Sequence, residues 1–404
     1  SAPSSEEELA ATIAQHQGPV RVVGSGHSFT PLAVTDSVLL TLDGMSGLIS
    51  HDANARRAIF YAGTRLGELG SALAGVGQDM PNLPDINKQS LGGAIATGTH
   101  GTGRACKALH GEIVSLRLIT ARGEIIDCSA AQGSEVFNAC RVGLGAFGVV
   151  TRIQLQNRPL TRVVKRTYVS QTQEAIEQWP ELIQRHRNAE FYAVPFTGLA
   201  SVITCDETNR PVQPRGPDRD AEGLKALKRL RDLFGFSSGL RRRIARLAMS
   251  DLPAEEAVDE GWKLLSNERP IRFNEIEFHF ALDAQIPALR ETLAAIETQR
   301  RDVFFPVEVR VVDADDAWLS PFYGRVSGSI AVHAYYKDDY RFFFELIEPI
   351  FRKYGGRPHW GKLHTFTAAD LAALYPRWKE AMQVRRELDP DGRLLNDYLK
   401  AVLS

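Results

Sequence analysis

Val22-Val23-Gly24-Ser25-Gly26-His27-Ser28-Phe29 runs from β-branched residues directly into small ones, and this stretch decides the fold. Val20 to Val23 has the character of a short strand, and the glycines and serines after it leave successive N–H groups exposed in a turn. Such a turn is a nest that holds a diphosphate without any basic side chain. It is not the nucleophile elbow of a hydrolase, which needs GxSxG with a central serine, whereas here His27 follows the second glycine. Taken alone, a histidine such as His27 is more often an ordinary turn residue than a functional one.

Upstream, Ser5 and Glu8 have capping-box spacing and Leu9 and Ile13 follow at helical spacing, until Gly18-Pro19 stops the helix. Downstream come strands at Val38 to Leu42 and Arg57 to Tyr61, then helical spacing at Leu66, Leu69 and Leu73. Short strands interleaved with helices make an α+β pattern. From Asn82 to Gly103 the chain becomes Gly/Thr-rich, ending in Thr97-Gly98-Thr99-His100-Gly101-Thr102-Gly103, where backbone must approach something closely. Two diphosphate-competent turns in one α+β region point to a large bound nucleotide more strongly than either alone.

One formal GxGxxG occurs at Gly143-Leu144-Gly145-Ala146-Phe147-Gly148. A Rossmann fingerprint follows a strand and opens a helix. Here a helical segment, Glu135 to Cys140, precedes it and a strand from Val149 follows, so the glycines read as a turn against a bound group or another backbone. Ile113 to Thr120 and Glu124 to Cys128 form a hairpin about Arg122-Gly123. Beyond Pro159 there are strands at Arg166 to Ser170 and Phe191 to Val194, and a polar loop from Asp206 to Asp220. Arg229, Arg231, Arg241, Arg242, Arg243 and Arg246 then read as a solvated helix face rather than a polyanion site. Phe273 to Ala281, Phe304 to Val312 and Ser329 to Tyr336 alternate as antiparallel strands, with helical spacing at Ile286 to Ile296 and Phe342 to Phe351 between them. A capping box at Thr367 to Asp370 opens a helix, another runs from Arg377 to Leu388, and no internal repeat is found.

The 404 residues suffice for two or three domains, and 48 basic against 49 acidic residues give a net charge of −1, no attraction for nucleic acid or an anionic membrane. With 44% apolar and 24% charged residues the chain is neither disordered nor collagen-like. Cys106, Cys128, Cys140 and Cys205 show neither CxxC nor metal spacing and fit a reducing compartment. The opening from Ser1 to Glu8 is acidic where a secretory leader is cationic, and no run reaches the roughly 18 apolar residues of a span, so a soluble, cytoplasmic chain is expected.

Glu308 and Arg310 alternate on a strand and share one face, as do His333 and Tyr335; the plain alternative for the first pair is a surface ion pair. His359-Trp360-Gly361-Lys362 adds a cation beside a glycine. Together these residues supply a base, a hydrogen-bonding pair and a positive group for developing negative charge. His364 lies close to His359, but without HExxH or a third ligand no metal is expected.

The ordered set of GSGHS, ATGTHGTG, LGAFGVVT, EVR followed by WLSPFYGR, and HWGK resembles the vanillyl-alcohol-oxidase-type flavoproteins, in particular the sugar-1,4-lactone oxidase branch and most of all the bacterial alditol oxidases. The resemblance implies an α+β fold with a two-subdomain PCMH-type FAD-binding domain over 1–158. It implies a substrate (cap) domain of antiparallel sheet plus helices over 159–357, and a C-terminal segment, 358–404, returning to the FAD domain. By it, His27 bonds covalently to the flavin 8α carbon, Val23, Gly24, Ser25, Gly26 and Ser28 hold diphosphate, and Ser90, Gly93, Thr97, Gly98, Thr99, His100, Val149 and His359 contact FAD. Glu308, Arg310, His333 and Lys362 match catalytic positions, with His333 assisting proton removal, Arg310 and Lys362 stabilising charge, and Glu308 orienting hydroxyls.

Asp85 and Tyr335 replace a small hydroxyl residue and a threonine of the alditol oxidases in the substrate site, which tilts the expectation from a linear alditol towards a larger sugar derivative, lactone or nucleoside. Pro84 stands at the position that gates oxygen in the family. The expected activity is an FAD-dependent oxidase of a hydroxylated small molecule, acting as a monomer and passing electrons to O2 to give H2O2. A dehydrogenase with another acceptor and a non-catalytic flavin-binding protein are the alternatives.

Overall fold

The computed structural model describes residues 1–404 except 217–219, 250–251 and 267–271. Val20–Val23 pairs in parallel with Val38–Thr41, and the chain then builds a five-stranded antiparallel sheet in the order Leu48–Asp52, Arg57–Tyr61, Val149–Gln156, Ile113–Ile119, Ile125–Ser129. Period-two alternation in VVTRIQLQ buries Val149, Thr151, Ile153 and Leu155 and leaves their neighbours half-buried. The hairpin forms about Gly123, whose φ of 83° suits glycine, and Thr120 donates its N–H to Glu124 across the turn. The opening helix, Glu6–Gln15, is only half capped as a box: Ser5 Oγ accepts from the Glu8 N–H at 3.1 Å, but the Glu8 carboxylate turns to Ser4. The box at Thr367 and Asp370 is complete.

The GxGxxG segment precedes a strand and clamps a buried cation. Leu144, Gly145 and Gly148 all have positive φ, and the loop they shape brings the carbonyls of Leu144 and Gly145 to 3.0 and 2.9 Å from the Arg21 guanidinium, which also bonds the carbonyls of Leu32 and Leu394. One arginine, 2% exposed, thus ties the first strand, the glycine loop and the C-terminal segment together.

The larger sheet is eight-stranded and antiparallel throughout, in the order Glu255–Glu260, Arg162–Gln171, Leu199–Glu207, Asn188–Val194, Val307–Val312, Ser327–Tyr335, Phe273–Ala281, Arg357–Pro358. Its two faces differ in chemistry. Phe191, Val309, Val311, Ile330, Val332, Ile276 and Phe278 are buried on one, against the helices Thr172–Arg185 and Leu282–Gln299. Trp179 of the first helix packs edge-on to Phe191 at 5.2 Å and donates to Gln285 of the second at 2.8 Å. Gly328 lets this happen, because a Cβ there would lie 2.2 Å from the Gln285 side chain. The opposite face is charged and turns to the run containing His100.

Some expectations change. The strand expected from Phe304 begins at Val307, and the helix expected over Phe342 to Phe351 is a π-turn, Phe343–Ile347, continued by Glu348–Lys353 with the N–H-less Pro349 at the junction. The arginine cluster is a solvated face only in part: Arg229, Arg243 and Arg246 are exposed, but Arg241 is 2% exposed and bonded to the carbonyls of Arg301 and Val303, while Arg231 pairs with Asp338 at 2.6 Å and lies over Phe304. Arg231 and Arg241 fasten the helices Asp220–Phe234 and Ser238–Met249 to the sheet. The expected loop opens later than Asp206, after the Leu199–Glu207 strand, and its residues 217–219 lie outside the described ones. Among the described residues, no helix is long and apolar enough to cross a membrane.

Candidate active site

A cleft of about 520 Å³ opens where three glycine-rich segments meet: the Val23 to Ser28 turn, the Ser90 to Thr97 segment and the Gly143 to Val149 loop. Among the described residues, no protein acceptor receives the N–H groups of Gly24 to Ser28. Ser90 caps the helix Leu91–Ala96, accepting from the Gly93 N–H, and a Cβ on Gly24 would fall 2.3 Å from Ser90 Oγ, so turn and helix meet only through glycine. His27 is exposed in this cleft, its Nδ1 3.0 Å from the Ser25 carbonyl. A groove lined mainly by small side chains and free N–H donors fits a dinucleotide such as FAD, whose diphosphate needs such donors.

Of the expected cofactor residues, Val23, Gly24, Ser25, Gly26, His27, Ser28, Ser90, Gly93, Thr97 and Val149 line the cleft. Gly98, Thr99, His100 and His359 do not. His100 is buried behind it and bonds Glu277 of the large sheet at 3.0 Å, and His359, also buried, accepts from the Gly361 N–H and is pushed down to about 3 by burial.

The charged face of the sheet meets the cleft at the His27 turn. Phe29 donates its N–H to Gly361 at 2.7 Å, and Lys362 Nζ sits 5.1 Å from the Phe29 ring centroid. Strand alternation aims Glu275 and Glu277, Glu308 and Arg310, and His333 towards the same side, since Glu277 and Glu308 both pair with Ala331, and Glu275 with His333. Arg310 Nη2 bonds Glu277 at 3.0 Å, and its Nε lies 3.3 Å from Glu308, which accepts from the Tyr192 hydroxyl at 2.7 Å. Lys362 pairs with Glu275, and His333 Nε2 lies 3.6 Å from the same carboxylate. The plain alternative of a surface ion pair therefore fails: Glu308 and Arg310 are each 7% exposed.

Electrostatics follow from this lattice. Burial opposes ionisation of Glu277, but Arg310 and His100 outweigh it and hold the carboxyl well below the usual range. Glu275 is held down likewise, against its burial, chiefly by Lys362. Burial works against a charged His333, yet the Glu275 carboxylate raises its proton affinity above the ordinary value. Both its ring nitrogens face oxygens, Nδ1 at 3.1 Å from the Pro306 carbonyl. His333 thus has a carboxylate beside it that favours its charged form, although at 3.6 Å the two make no direct hydrogen bond.

Tyr335 lies towards the edge of this array, packed on Tyr336 and Phe304 with Lys228 above it. Asp85 lines a separate small pocket that opens beside Arg310 and also holds Glu190 and Lys165. Glu275, Glu277, Glu190 and Tyr192 are absent from the sequence-based site. The signal for two of them was the alternation Glu275-Ile276-Glu277-Phe278, which reads as an ordinary solvent-facing edge until the opposing domain is placed over it.

Residues 153–402 match the family model for D-arabinono-1,4-lactone oxidase, and residues 1–129 that for an FAD-binding domain. The chain is 34% identical to an L-gulono-1,4-lactone dehydrogenase of Mycobacterium tuberculosis over 99% of its length and 95% of the relative. It is 32% identical to an L-gulonolactone oxidase of Bos taurus (99% and 94% covered) and 28% to an alditol oxidase of Streptomyces sp. (99% and 94% covered). A crystal structure of cholesterol oxidase from B. sterolicum superposes with a TM-score of 0.80 at 15% identity, covering 100% of this chain and 93% of that one, which shows a shared fold. With nucleotide cleft and charged sheet face in one such fold, the chain belongs to the D-arabinono-1,4-lactone oxidase family of FAD-dependent oxidoreductases.

Proposed function

We propose that this protein oxidises a hydroxyl-bearing carbon of an aldono-1,4-lactone, with FAD tethered to His27 and O2 as the electron acceptor. The observation that carries the reading is the buried Glu308–Arg310–Glu277 and Lys362–Glu275–His333 array meeting the cleft at Phe29. The lactone is preferred to an alditol because the lactone family match spans the whole large sheet and two lactone-acting relatives exceed the alditol oxidase in identity.

FAD bound in the cleft supplies a two-electron acceptor that takes a hydride at N5. The chain's own residues then have separable tasks. Arg310, held between two carboxylates, keeps a fixed guanidinium edge for a substrate oxygen as that oxygen loses its proton. Lys362 places a second positive group beside the His27 turn, where negative charge on the ring system or the substrate would otherwise go uncompensated. Neutral His333 takes the hydroxyl proton at Nε2, and the Glu275 carboxylate 3.6 Å away stabilises the imidazolium so formed, while Glu308, oriented by Tyr192, accepts from neighbouring hydroxyls. The Gly24 to Ser28 donors and a bond to His27 would hold the cofactor in the cleft, next to which the charged sheet face comes in at Phe29 and Lys362.

Oxygen as acceptor is supported by Pro84 at the oxygen-gating position, fixed by its carbonyl accepting from Ser266 Oγ at 2.5 Å. The four buried thiols, none in a disulfide, suit a reducing compartment. Under air, turnover of an aldono-1,4-lactone is expected to release one H2O2 per substrate consumed. Turnover seen only with an artificial dye acceptor would make the protein a dehydrogenase.

A further inference from the structure

A pocket of about 30 Å³ opens beside Arg310, on the side away from Lys362; Arg310 is the one lining residue given a task above, and Asp85 is placed in the substrate site by the sequence. Asp85, Lys165, Asn188 and Glu190 supply its polar lining. Sheet register explains the grouping: Lys165 lies opposite Cys205, Glu190 opposite Ile203, and Tyr192, two residues beyond Glu190 on the same face, opposite Glu308. Lys165 is half-buried and steadied by the Leu264 carbonyl at 3.1 Å, while Asn188 is buried and bonds Asn82 at 3.3 Å. Glu190 is the unexplained member. It is half-buried beside a cation and a second carboxylate, yet among the described residues no group donates a hydrogen bond to its carboxylate. Burial and the neighbouring Glu308 push its carboxyl up to about 7, and its ionised form lacks a donor that a group from outside the chain would supply.

We infer that this pocket is a subsite for the terminal hydroxymethyl group of the substrate, whose O–H donates to Glu190 and whose oxygen accepts from Lys165. Carboxylate, amide and ammonium groups converging on a small volume form a set that reads a hydroxyl, which both donates and accepts. The size sets the limit. A volume of about 30 Å³ holds roughly two water-sized groups, enough for one carbon and its oxygen and too little for a second sugar ring. Because Arg310 borders both regions, a substrate oxidised at Arg310 and Lys362 enters the pocket with its far end. The site is thus matched to a six-carbon monocyclic lactone with a free terminal hydroxyl. A glycoside or phosphate ester at that end is excluded by size and by the two carboxylates.

This inference rests on the lactone reading, and one experiment separates the two. The holoenzyme is assayed with a six-carbon aldono-1,4-lactone and with its 6-deoxy analogue. The wild type is expected to prefer the parent by about 100-fold in kcat/KM, mostly through KM. In Glu190→Leu the parent should fall to the level of the analogue, while the analogue itself is unchanged; Glu190→Gln, which keeps an acceptor, should recover part of the preference, and Lys165→Met should lose it as Glu190→Leu does. Equal efficiency on the two lactones in the wild type, or an equal fall on both in Glu190→Leu, overturns the subsite and leaves the lactone reading standing. Failure of both lactones to reduce the wild-type flavin overturns the lactone reading itself.

Discussion

Lys362→Met is expected to lower kcat by about 10²- to 10³-fold, the usual cost of removing one preorganised charge-stabilising donor, while leaving the FAD content of the protein unchanged. The two halves of the result have separate causes. The cleft is built from the Gly24 to Ser28 turn, the Ser90 segment and the Gly143 to Val149 loop, and Lys362 is not among its lining residues. What the substitution removes is the cation beside Phe29 and the partner of the buried Glu275 carboxylate. A stability signature accompanies the kinetic one. Glu275 titrates below its unfolded value because Lys362 and His333 oppose its burial, so its contribution is present above about pH 4.3 and disappears as pH falls below that. The gap in melting temperature between wild type and Lys362→Met should therefore be widest at neutral pH and close on acidification below about pH 4. A variant with unchanged kcat removes Lys362 from the mechanism; a gap that widens in acid removes the Glu275 pairing.

His27→Ala gives the largest qualitative change. After acid precipitation the wild-type pellet should keep all of its flavin absorbance, and the variant pellet none. Native His27→Ala should still bind FAD, because the N–H groups of Gly24 to Ser28 are backbone donors that the substitution does not touch. Its turnover is expected to fall about tenfold, equivalent to ~1.4 kcal/mol, since the imidazole substituent withdraws electron density from the ring and makes it a stronger oxidant. Flavin that leaves wild-type protein on acid treatment would show that His27, although it lies open in the cleft, only contacts the cofactor.

Local signals in the sequence carried the cofactor side of this fold well. The strand-to-glycine turn at Val23 to Ser28, the hairpin about Gly123 and the reversed context of Gly143 to Gly148 each depend on neighbours within a few residues, and each stands where its residues place it. The missing parts are long-range. Glu275 and Glu277 alternate with Ile276 and Phe278, and that pattern describes a half-exposed strand until another domain covers its polar side. His100 sits in a loop rich in glycine, but its partner Glu277 lies 177 residues away. Arg21, read as one residue of a short strand, is a buried clamp only because carbonyls from three distant segments converge on it. The helix Thr172–Arg185 carries Pro180 in its interior and gains its stability from Trp179 and Ile183 against the sheet, a contact that no local propensity announces. The register that gathers Lys165, Glu190 and Arg310 is likewise set by strand pairing rather than by sequence spacing.

The most direct test of the account is anaerobic mixing of the purified holoenzyme with a six-carbon aldono-1,4-lactone, followed by admission of air. The charged sheet face at the flavin cleft predicts that the yellow absorbance bleaches within the turnover time and returns with air. Absorbance that stays oxidised with every lactone and alditol offered would contradict the assignment of that face as a site of hydroxyl oxidation.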